Sequence, residues 1–164
     1  MSEKKLNRRS TIKMSQEEAN LIDEWICILL YTNNNEPIKG KVRFIKEIFF
    51  FSFNYHRELF DAAEFYPYYF GPYSTRIAYR VNILKNKGII TPFYKNQDWN
   101  YTLSKEGIQK AMEYFNNVKA EYIEAIKNIK NENRSRSLKQ LLKEIYLNYP
   151  EYGKRSLIAR GAIE

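Results

Sequence analysis

The sequence predicts a mainly α fold with a small β-hairpin, and three observations predict it. Apolar residues recur at helical spacing along most of the 164 residues. Two β-prone runs, "IITPFY" and "WNYTLS", are separated only by "KNQD", the pattern of an antiparallel hairpin. Ser15 with Glu18, and Ser137 with Gln140, carry the reciprocal spacing of a helix-starting capping box.

Taken in order, residues 1–14 are polar and basic without an apolar period and read as a flexible arm. From Ser15, the positions Leu21, Ile22, Trp25, Ile26, Ile28 and Leu29 predict a first helix, which Asn33, Asn34 and Asn35 end before Pro37. "PIKGKVRFIKEIFFFSF" predicts a second helix through Val42, Ile45, Ile48 and Phe49, and 54–64 fits either a short helix or an ordered loop. Within "FYPYYFGPYSTRIAYRVNILKNKGII", Gly71 and Pro72 allow a sharp turn, Ser74 supplies an N-cap and Gly88 a C′ residue, so a helix spans 75–87. Ile77, Val81 and Leu84 define its buried face. The opposite face holds Thr75, Tyr79, Asn82 and Asn86, flanked by Arg76 and Arg80, with no carboxylate in the stretch.

After the hairpin, whose Pro92 suits an edge strand, Leu103, Ser104 and Ile108 mark a staple and cap. A long helix is expected to about Lys130, and a further one from Ser137 to Pro150. A short helix follows from Ser156 in this reading. The chain therefore divides into an arm (1–14), a compact unit (15–104) and a helical extension (105–164) suited to dimerisation.

Lys and Arg total 27 against 19 Asp and Glu, a formal charge of +8, which favours a polyanionic partner. A single cysteine, Cys27, excludes an internal disulfide and a multi-thiolate zinc site, and suits a reducing compartment. No apolar run is long enough to span a bilayer. The one histidine, His56, sits beside Arg57 and Glu58 as a surface residue would, and no phosphate loop, nucleophile elbow or carboxylate cluster appears. The expectation is a cytoplasmic protein that is not an enzyme and has no cofactor, metal or membrane partner.

Helix, helix, short connection, glycine-ended helix and hairpin is the order of a winged helix-turn-helix with a C-terminal helical extension. "FYPYYFGPYS", the helix into "GII", and "YTLSKEG" resemble the F-x-P-Y-x-x-G-P-Y-S pattern of small winged-helix proteins similar to YwgA, and more distantly SocA-like (Panacea) antitoxins and PadR-type regulators. The resemblance covers roughly residues 38–152. Ser104 stands where those relatives usually have Thr, and Arg76 and Arg80 stand where they often have acids.

The expected function is double-stranded DNA binding by a transcriptional regulator, with helix 75–87 in the major groove. Thr75, Arg76, Tyr79, Arg80, Asn82 and Asn86 would face bases or backbone. Lys95, Asn96 and Gln97 of the wing, with Trp99, would meet phosphates or the minor groove, and Lys39, Lys41 and Arg43 add a second basic group. The alternative is a protein-interaction module, an antitoxin or accessory factor, that meets an acidic partner. A homodimer is expected by analogy of fold, and the Lys, Ile, Asn and Tyr bias suggests an AT-rich, archaeal source.

Overall fold

The computed structural model describes residues 12–69 and 71–153. Most of the basic arm and the helix expected from Ser156 lie outside the described residues. Among the described residues are seven helices and two small antiparallel sheets. Their order is α1 (Gln16–Asn35), β1 (Ile38–Lys39), α2 (Lys41–Tyr55), α3 (Arg57–Ala63), β2 (Tyr66–Tyr68), β3 (Gly71–Tyr73), α4 (Thr75–Asn86), β4 (Ile90–Lys95), β5 (Asp98–Leu103), α5 (Lys105–Asn116), α6 (Ala120–Arg134) and α7 (Leu138–Asn148), then a short turn, Pro150–Tyr152. Among the described residues no helix is long and apolar enough to cross a membrane.

Helix α1 runs through the centre. Both halves of its capping box form, Ser15 with Glu18. Its helical backbone stops before Thr32, and Asn33, Asn34 and Asn35 follow at φ of 60°, 57° and 57°, a left-handed run that asparagine tolerates better than most residues. Such an end leaves carbonyls without partners. Lys130, reaching over from α6, donates to Leu29 O (2.9 Å), Leu30 O (3.1 Å) and Thr32 O (2.6 Å). Burial draws the Lys130 ammonium down to about 8, so it stays charged at neutral pH. The side-chain amide of Asn35 then binds β5, its Oδ1 accepting from Leu103 N (3.0 Å) and its Nδ2 donating to Leu103 O (3.2 Å).

Around α1, one core joins Phe44, Ile45 and Phe51 of α2, Ile77, Val81 and Leu84 of α4, and Ile38, Ile90 and Leu103 of the sheet. Ala111, Ala125 and Ile126 belong to the same cluster, so α5 and α6 are packed into this core. A second cluster sets Phe49 against Leu141, Leu142, Ile145, Tyr146 and Tyr152.

The larger sheet has the order β1-β5-β4, which leaves Pro92 on an edge strand as expected. At its tip Asn96 and Gln97 both take positive φ, 54° and 64°, matching the type I′ turn whose twist suits two-residue hairpins. Gly71 and Gly88 occupy φ of 83° and 76°, again as expected. Gly107 has a different reason for being glycine. A Cβ there would lie 2.2 Å from the Ile89 carbonyl, so the first turn of α5 sits against that backbone only because the side chain is absent.

Three expectations are corrected. The helix expected over 105–130 is two, because Asn117 ends α5 by donating back to Tyr114 and Phe115 carbonyls and Lys119 is extended. Tyr66–Tyr68 and Gly71–Tyr73 form an unexpected antiparallel strand pair, with Tyr66 opposite Tyr73 and Tyr68 opposite Gly71. His56 is not a surface residue of no consequence. Its Nδ1 accepts from Leu59 N (3.1 Å) and caps α3, while its ring meets Trp25, Phe51 and Tyr122 at 5.4, 6.1 and 5.2 Å.

Candidate nucleic-acid interface

Ser74 fixes where α4 begins. Its hydroxyl accepts from Ile77 N (3.0 Å) and donates to Ala63 O (2.6 Å), which ties the helix start to the end of α3. Because Ile77, Ala78, Val81 and Leu84 are buried, the opposite side turns outward. Thr75, Asn82, Lys85, Asn86 and Lys87 are exposed there, and Tyr79 is half-buried.

The two arginines of this helix are not free. Arg76 bonds to Glu18 at 2.5 Å and Glu64 at 3.2 Å, and donates to Ala62 O (3.0 Å) and Lys13 O (2.8 Å). Arg80 holds Asp23 through two bonds of 2.8 and 2.7 Å. Their side chains are 12% and 13% exposed, so the acid-free face read from the local sequence meets acids supplied by α1. The Ser15 backbone N–H and then Arg76 draw the Glu18 carboxyl below its ordinary range. The hydrogen bonds to Asp23 draw Arg80 upward. Arg43 is likewise occupied, donating to Asn133 O and Arg136 O, both at 2.6 Å, at the end of α6.

The lysines behave differently. Burial and then the neighbouring charge of Lys85 lower Lys41, and among the described residues neither lysine has an ion pair. Lys39, Lys41 and Arg43 line a cleft of about 560 Å³ with Asp98, Ser137 and Leu138. Lys95, Asn96 and Gln97 are exposed at the hairpin tip. Thus Lys39 and Lys41 stand beside Trp99 and Asn100 of β5, toward the tip of the hairpin, while Arg43, Arg76 and Arg80 serve the scaffold.

Two features of this region lay outside the expected site. Tyr94 is 63% exposed beside Trp99, the wing residue that was expected there and is 51% exposed, and their rings are 5.5 Å apart. Lys85 and Lys87 end α4 in the open, which their place in the acid-free stretch could have signalled.

Elsewhere, several buried titratable groups are shifted by their surroundings. Burial pushes the Cys27 thiol up to about 12 and draws Lys46, which donates to the Pro72 carbonyl, down to about 7. Burial raises Glu47 to about 8 against the pull of Lys130 and Arg43. No group of three or more metal-ligating side chains occurs among the described residues. Neither a scan against protein-family models nor a search of curated proteins finds a match to this chain.

Proposed function

We propose that the chain is a winged helix-turn-helix protein that binds double-stranded DNA as a transcriptional regulator. The observation that carries this reading is that Lys39 and Lys41 line one cleft beside strand β5, two like charges left without ion pairs among the described residues. A polyanion between them relieves their repulsion. The strand order β1-β5-β4, with α4 preceding a protruding hairpin, supports the winged form. In this reading α4 lies in the major groove through Thr75, Tyr79, Asn82 and Asn86. Lys39, Lys41, Lys85, Lys87 and Lys95, with Asn96 and Gln97, hold phosphates. Arg43, Arg76 and Arg80 set the frame from which those groups project. A homodimer and a cytoplasmic location complete the proposal, the first by analogy of fold and the second from the lone cysteine.

A second reading has its own support. Neutralisation of Arg76 and Arg80 by Glu18 and Asp23, with Tyr68 and Tyr69 40% and 48% exposed, suits a protein-interaction module of the antitoxin or accessory type.

Anisotropy titration of a labelled duplex across a salt series, with random duplex as competitor, separates the two. Five lysine contacts predict log K falling against log salt with a slope of about −4.5. Absence of binding at low salt would transfer the surface to a protein partner, to be sought by co-purification.

A further inference from the structure

The hairpin β4–β5 reaches beyond the core that its base helps to build. Successive opposed pairs are Ile90 with Leu103, Pro92 with Tyr101, and Tyr94 with Trp99. Each is two residues from the last, so all three lie on one face of the sheet. At the base that face is core, with Ile90 and Leu103 buried. At the tip the same face ends in Tyr94 and Trp99, large rings set edge-to-face at 68°, and among the described residues no element covers them.

The surroundings of the pair are cationic. Gly40 N donates to Trp99 O (2.8 Å), which places Trp99 beside the start of α2, where Lys39 and Lys41 line a cleft. Lys95 follows Tyr94 at the tip. The adjacent carboxylate of Asp98 accepts from Trp99 N (2.8 Å) through one oxygen. Bare ring faces among lysines match a nucleobase with its flanking phosphates. A second copy fits less well. Two rings are far smaller than the roughly 800 Å² per partner of a stable interface, and self-pairing would bring the lysines together.

We propose that Tyr94 and Trp99 form a stacking platform for an unstacked nucleobase within duplex DNA, so that the protein prefers a duplex carrying a displaced base. This rests on the DNA-binding reading above. The duplex follows α4 and the lysines, and the wing pair accepts the one base whose face is free.

The test compares two duplexes of equal length, one fully paired and one with a single-nucleotide bulge, by anisotropy and by tryptophan emission. Of the two tryptophans, Trp25 is 2% exposed, so a change in emission on binding reports Trp99. The expected result is about tenfold tighter binding of the bulged duplex, with quenching of Trp99. Trp99→Ala abolishes the preference without altering the salt slope, and Trp99→Phe retains most of it. A preference that survives Trp99→Ala, or unchanged emission on a bound bulged duplex, overturns the stacking contact while leaving DNA binding intact. Emission that changes on diluting the protein without DNA assigns the pair to a second copy and overturns it too. Failure of both duplexes to bind at low salt overturns the DNA reading itself.

Discussion

The two ends of α4 carry the same charge in the sequence and do opposite things in the fold. At the first end, Arg76 and Arg80 turn back to Glu18 and Asp23 of α1. At the other, Lys85 and Lys87 stay open, and the charge of Lys85 lowers Lys41. The planar guanidinium of Arg80 makes two parallel bonds to Asp23, a geometry that an ammonium on a flexible stem does not offer. Basic residues crowded along one stretch thus divide into some that hold helices together and some that set the external field. Only the second group counts toward attracting a polyanion.

Arg80→Ala should break this contrast most severely. It would leave Asp23, itself buried, without its cation, and loss of a buried partner costs about 3 kcal/mol or more. Urea denaturation should show the fall. An unchanged midpoint would mean that the pair contributes nothing and that Arg80 is available for DNA. Arg76→Ala should cost less, about 1 kcal/mol for its bond to the Ala62 carbonyl, since Glu18 and Glu64 are more exposed and surface pairs add little. It also carries a pH signature. The Glu18 carboxyl is lowered in the folded state, so its contribution is present above its ordinary value and is lost as pH falls through the lowered one. Removing Arg76 should shrink that acid-side loss, measured as the difference between unfolding midpoints at pH 6 and pH 3. Smallest for stability is Lys41→Ala with Lys85→Ala, expected to shift it by about 0.5 kcal/mol at most. The same double variant should reduce the magnitude of the salt slope for duplex binding by about 2. An unaltered slope would remove these lysines from the interface.

Much of the local structure was legible because its causes are local. Ser15, Ser74, Ser104 and Ser137 all cap the helices their spacing marks, and Pro92 lies on an edge strand. The partners of Arg76 and Arg80 were not legible, because they lie 58 and 57 residues earlier in the chain. Helical period says which side of α4 is apolar, but not what stands across from its flanks. A signal was nonetheless present. Glu18 and Asp23 are separated by five residues and Arg76 and Arg80 by four, similar rises along two helices. The β2–β3 strand pair was hidden for another reason. Its three-residue strands around Pro67 and Pro72 run against the usual reading of proline, and cross-strand contacts among Tyr66, Tyr68 and Tyr73 leave no alternation to detect. The break after α5 is signalled only by a pair of asparagines, Asn116 and Asn117, inside an otherwise sustained apolar period.

Lys130 has a consequence in time. The carbonyl of Leu29 receives its hydrogen from a residue 101 positions later. At ordinary rates of synthesis, that donor is made about 5 to 20 seconds after the acceptor. Every strand of the larger sheet is made within that interval, yet the end of α1 must keep its carbonyls in water throughout it. The nascent chain completes its central helix only when its sixth helix has been made.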